Sequence, residues 1–238
     1  MAGTGRDGTT TVRELVRSLS RLNGEEWVVP NEKYCGHICN LTSVSLETGI
    51  VAYRHALRDL LEHVPAHALV GPAYQFALEV LADLHGPRVK LIHLQRRDRT
   101  ACIESIARVV RLKPAGAINY SNRECRKDRR DYFQRPTAYH YGEMTRQQWQ
   151  ALDLRSRIGW YFDKTHTLIT AAKSRFTDTL SVATEELGER ATVARIASFI
   201  HPEWTRVCEP VHLNSTEALL QNDGSAARRR AGLVHPDD

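Results

Sequence analysis

No stretch of the 238-residue sequence approaches the roughly 18 consecutive apolar residues that a membrane-spanning helix needs. The first residues lack the apolar centre of a secretory signal peptide, which predicts a chain that stays in the cytoplasm. Cysteine is sparse and odd in number, five in all, which argues against a secreted disulfide framework and for a reducing compartment. No internal repeat appears and hairpin turn signals are few. Neither an aromatic-and-basic ribonucleoprotein motif nor a helix-turn-helix signature is present, so nucleic acid is not an expected partner. What is there is an ordinary globular balance, 42% hydrophobic and 26% charged, enough to bury one sizeable core. The net charge of +5 suits an anionic ligand.

Hydrophobic spacing predicts the elements. Val12, Leu15, Val16, Leu19 and Leu22 form a helical stripe that Gly24 ends. Residues 26–30 (EWVVP) read as a short strand, 46–63 as an amphipathic helix closed by Pro65, and 67–71 (HALVG) as a strand. A helix over 73–85 follows. Residues 89–95 (VKLIHLQ) are the best buried strand, and 99–112 read as a helix. Residues 113–145 read as a polar loop region, 146–176 as helix, 180–184 as strand, 191–200 as helix and 215–238 as a basic tail. Strands alternating with helices predict a parallel sheet covered on both faces, in one domain spanning 1–214.

Two stretches have the composition of anion sites. Residues 3–11 (GTGRDGTTT) run straight into the first helix; glycines let a backbone wrap an anion, and free N–H groups at a helix start point into the wrap. The Gly-Lys-Ser/Thr ending of a nucleotide-triphosphatase loop is absent. Farther on, the buried strand ends in Arg96 and Arg97, and Ser105 lies on the next helix. Arginines at the carboxyl end of a parallel strand can fork onto a phosphate, with a serine hydroxyl donating to the same group.

This pair of motifs, in this order, resembles the sulfotransferase family that uses 3′-phosphoadenosine-5′-phosphosulfate (PAPS). The paired arginines with Ser105 are most similar to its bacterial carbohydrate (trehalose-type) branch. The resemblance implies a fold related to the phosphate-loop kinases. It implies a 5′-phosphosulfate loop formed by Gly5, Arg6, Asp7, Gly8, Thr9 and Thr10, with Arg6 at the catalytic cation position. It implies a 3′-phosphate site of Arg97 and Ser105, with Arg96 as the fallback if the register shifts by one. Residues 28–34 (VVPNEKY) resemble the stretch that carries a general base, which assigns that role to Glu32. The implied reaction is sulfuryl transfer from PAPS to a hydroxyl of a carbohydrate or glycolipid, releasing adenosine 3′,5′-bisphosphate, with no metal required.

Two departures from the family pattern stand out. The strand expected before Gly3 is missing, for which a start codon assigned too late is the preferred explanation and a decayed enzyme the second. The C-terminal Arg-Lys-Gly clamp of the animal cytosolic type is absent; Arg228, Arg229 and Arg230 could substitute for it, but a solvated tail is the preferred reading. The alternative reading is a non-catalytic descendant that binds a nucleotide or a partner. A homodimer is compatible with either.

Other residues invite weaker assignments. Cys35, His37 and Cys39 have the look of half a zinc site, but structural zinc needs four ligands and no second cluster follows. They read as buried or semi-buried thiols and a nearby histidine. His37 and His55 are alternative bases. Trp160, Tyr161, Phe162 and His166 read mainly as core of one long helix.

Overall fold

The computed structural model describes residues 2, 8–30, 34–49, 51–112 and 135–209. Its two strands are β1 (Leu91–Gln95) and β2 (Thr179–Ala183), paired in parallel with Leu91 opposite Thr179 and Gln95 opposite Ala183. Eight α-helices accompany them among the described residues: α1 (Thr9–Leu22), α2 (Cys35–Thr48), α3 (Val51–Glu62), α4 (Leu78–His85), α5 (Arg99–Leu112), α6 (Arg146–Ala151), α7 (Leu154–Ala172) and α8 (Arg190–Ile200). The architecture is mixed α/β, a parallel sheet flanked by helices.

A third backbone segment joins the sheet at Ala2. Ala2 forms parallel bridges to both Gly71 and His93. Its N–H donates to the Ile92 carbonyl at 3.1 Å, and its carbonyl accepts from the Leu94 N–H at 3.0 Å. It is fully buried. The parallel register gives Ala2, β1 and β2 one direction, so all three point their carboxyl ends at the same edge.

Alternation along β1 divides the interior. Leu91 packs with α2, α3, α4 and the end of α7, through Ile38, Leu57, Leu61, Leu81 and Ile169. Ile92 and Leu94 face the opposite way, onto Val12, Leu15, Val16 and Leu19 of α1 and Val193 and Ile196 of α8. Each of the α1 side chains is at most 1% exposed, and burial of that kind stabilises by about 1.5–3 kcal/mol per side chain. A third cluster joins α5 to α7 through Ile103, Ile106, Ile158 and Phe162.

Several boundaries differ from the sequence reading. The helix expected over 46–63 is two helices, because Gly49 adopts φ 65 as the cap of α2 and the chain restarts at Val51. The helix expected over 73–85 begins as a 3-10 turn, Tyr74–Phe76, before α4. That over 146–176 divides at Asp153, whose side chain accepts from the Ser156 N–H and caps α7. The stretch 26–30 is not a strand. Val28 instead holds residue 67 at both ends: its N–H donates to His67 Nδ1 at 3.0 Å, and its carbonyl accepts from the His67 N–H at 3.0 Å. A side chain has replaced one rung of a ladder. Residues 67–71 contribute an isolated bridge rather than a full strand.

Candidate functional site

Two chain segments leave the described strands at the carboxyl edge, and the start of α1 lies against one of them. From β1 the chain passes through Arg96 and Arg97 into α5, and from β2 it enters a 3-10 turn, Thr184–Gly188. In an open parallel sheet this edge is where ligands bind.

Gly8 is fixed by two independent demands. Its φ of 79 is left-handed, and a Cβ there would stand 2.6 Å from Leu187 Cδ1 and 3.4 Å from Thr184 Cγ2. The start of α1 is therefore pressed against the turn after β2. Gly8 caps α1 without any side-chain hydrogen bond, and the first turn carries no acidic residue. No carboxylate within that first turn itself offsets the positive end of the helix dipole. Thr9 is 2% exposed. Its hydroxyl and that of Thr184 are buried without a hydrogen-bond partner among the described residues. A buried hydroxyl left in that state costs roughly 1–3 kcal/mol, so each can take an acceptor such as a phosphate oxygen. Thr10 is half-buried beside them.

The arginine turn is dressed by carboxylates. The Arg97 guanidinium pairs with Glu186, and its backbone N–H lies 3.2 Å from Glu185 Oε1. Glu186 also receives Arg195 at 3.0 Å. Arg99 forks onto Asp163 at 2.8 and 2.7 Å. Arg96 is half-buried and makes no ion pair with the described residues. Ser105 is half-buried in the second turn of α5. Glu185 and Glu186 escaped the sequence reading, although their place directly after the β2 strand was visible in "LSVATEEL".

Gly5, Arg6, Asp7 and Glu32 lie outside the described residues, as do Arg228, Arg229 and Arg230. His37 and His55 are exposed on α2 and α3. Cys35 and Cys39 are buried in α2, and burial pushes the Cys39 thiol up to about 12. Among the described residues no three potential metal ligands gather, and no helix is long and apolar enough to cross a membrane.

Behind the edge lies a polar spine that the sequence reading placed in the core without its partners. His93, opposite Ala2 on β1, meets His166 of α7, Nε2 to Nδ1 at 2.8 Å. Both rings are buried. Burial, then the neighbouring His166 and Lys173, lowers His93 to about 3, so the ring is neutral at ordinary pH. Beside it Gln75 Nε2 donates to the Pro72 carbonyl and to the Tyr161 hydroxyl, each at 2.7 Å, and Tyr161 in turn donates to Pro72 at 2.5 Å. These bonds anchor the segment after Gly71 to α7 and so hold one wall of the sheet.

Compared with protein-family models, with curated proteins and with solved structures, the chain matches none.

Proposed function

We propose that this protein binds PAPS at the carboxyl edge and transfers its sulfuryl group to a hydroxyl of a carbohydrate or glycolipid. The supporting observation is that the α1 start and the arginine turn both meet the turn after β2: Gly8 stands against Leu187 and Thr184, and Arg97 pairs with Glu186. Two anion-binding elements on one edge suit a nucleotide with two separated phosphate groups. In this reading the fold is of the phosphate-loop kinase type. Gly8, Thr9, Thr10 and the α1 N–H groups hold the 5′ end, with Gly5, Arg6 and Asp7 completing the loop. Arg97 and Ser105 hold the 3′-phosphate, Arg96 standing beside them.

The chemistry is an in-line displacement. The acceptor oxygen forms a bond to sulfur while the bond from sulfur to the 5′-phosphate oxygen breaks. Glu32 takes the acceptor's proton, and adenosine 3′,5′-bisphosphate leaves. Arg6 and the α1 N–H groups stabilise charge gathering on the departing phosphate. Titration calorimetry tests the binding half: adenosine 3′,5′-bisphosphate should bind at least about tenfold tighter than AMP, a difference near 1.4 kcal/mol. Equal affinities would remove the 3′-phosphate site from the proposal.

A further inference from the structure

A groove with a cavity volume of about 380 Å³ opens at the amino ends of the strands, away from the edge proposed for the nucleotide. Residues 88–92 at the approach to β1, Phe176 ahead of β2, and Phe199 and Ile200 at the end of α8 help to line it. That volume lies within the range of small-molecule sites, about 300–1,000 Å³. Its lining is graded from dry to wet. Tyr74, Leu61 and Leu91 are each at most 2% exposed, whereas Arg88 is exposed and His85 and Lys90 are half-buried.

The charges at the mouth are of one sign. No described residue that lines the groove is acidic. Elsewhere Arg54, Arg97, Arg99, Arg155 and Arg175 each meet a carboxylate; Arg88 and Lys90 meet none among the described residues. Lys90 Nζ donates to the Phe199 carbonyl at 2.8 Å and stands 5.6 Å from the centre of the Phe199 ring. One of its three N–H bonds is thereby used, and two are left for an incoming acceptor. A dry apolar interior with cations at the mouth complements a hydrocarbon tail that ends in an anion. A nucleotide or a sugar would instead lose its hydration against apolar walls, at a cost those walls do not return.

We propose that this groove binds a medium-chain fatty acid, with the alkyl chain against Leu61, Leu81, Leu91 and Phe176 and the carboxylate held by Arg88 and Lys90. The observation that carries it is the juxtaposition, on one cavity, of a buried apolar lining with two cations that lack a carboxylate. It is independent of the sulfotransferase reading, because the groove lies at the opposite end of the strands from Arg97 and Thr184 and shares no residue with the proposed nucleotide site.

The test is calorimetric titration of the full chain with decanoate, octanoate and decanol, each kept below the concentration at which it aggregates. Decanoate should saturate one site. Octanoate, two methylenes shorter, should bind about tenfold weaker, because each buried CH₂ changes affinity roughly three- to fourfold. Decanol should also bind at least about tenfold weaker, since it brings no charge to the mouth. Arg88→Gln together with Lys90→Gln should lower decanoate to the level of decanol and leave decanol unchanged. Ala68→Phe, on a residue that lines the groove, should abolish both with circular dichroism unaltered; Val64→Phe takes its place if that chain does not fold. Absence of saturable decanoate binding, equal affinity for decanoate and decanol, or retention of decanoate by the filled groove overturns the proposal. So does an apolar peptide that binds where decanoate does not, which would assign the groove to a polypeptide.

Discussion

Arg97, in the turn after β1, is held by Glu186, in the turn after β2, so a cation proposed to receive phosphate already has an acidic partner. An arriving phosphate must compete with that carboxylate, and Arg195 on the same Glu186 offers a second cation as the pair opens. Glu186→Gln should therefore tighten adenosine 3′,5′-bisphosphate, while Arg97→Ala should weaken it about tenfold or more and leave AMP unaffected. Calorimetry on the two variants checks this; a Glu186→Gln protein that binds more weakly would show that the carboxylate supports the site instead of competing for it.

Gly8→Ala should be costly out of proportion to one methyl group. A left-handed backbone costs an L-residue about 1–2 kcal/mol, and the added Cβ meets Leu187 Cδ1 at 2.6 Å. Thermal unfolding should show a fall of several degrees. Leu187→Ala in the same chain should recover only the steric share, so the double variant should unfold above Gly8→Ala less whatever the Leu187 cavity itself removes. A Gly8→Ala protein with unchanged Tm contradicts the described geometry.

The acid side of the stability curve should carry the signature of His93. Its folded pKa, about 3, lies below the ordinary histidine value near 6.5. The unfolded chain therefore takes up the proton first, and stability present above about pH 6.5 is lost as pH falls toward 3. The limiting slope is about 1.4 kcal/mol per pH unit for one group. His140, lowered to about 4 by burial and Arg146, has the same sign. Urea unfolding between pH 7 and 5 should show the decline, and His93→Asn should flatten it. An unchanged slope in that variant would mean that His93 is protonated in the folded protein.

Glu32→Gln keeps the shape of the side chain and removes its proton acceptor. Turnover of an acceptor sugar should fall by about 10²–10⁴ while donor affinity stays level. His37→Ala and His55→Ala, on exposed helix faces, should retain turnover. If one of the histidine variants loses it and Glu32→Gln does not, the base has been misassigned.

The parts of the fold legible in the sequence were those with a single dominant signal. Val12 through Leu22 and residues 99–112 carried an uninterrupted helical stripe, and β1 carried an apolar run bounded by Gly86-Pro87 and two arginines; all three stand as α1, α5 and β1. What could not be read was set by partners distant in sequence. Val28 looks like strand material, yet its backbone is satisfied by the His67 ring, and Trp27 stacks on that ring at 5.5 Å. Gly49 inside an amphipathic pattern gave no sign of whether it would be tolerated or would cap. At the candidate site, glycine and threonine content located the α1 start, but the carboxylates that occupy Arg97 come from a turn almost 90 residues away. Composition around "RRDR" cannot reveal them.

The strand pairing has a kinetic consequence. Leu91 meets Thr179 and Ala2 meets His93, each across about 90 residues, and contacts so far apart in sequence form slowly because a long loop must first be closed. Helix pairs such as α2 with α3 are local by comparison. During refolding the helices should assemble first, and the edge on which Gly8, Arg97 and Thr184 converge should be among the last features to arise, so that the proposed anion site would arrive only with the completed fold.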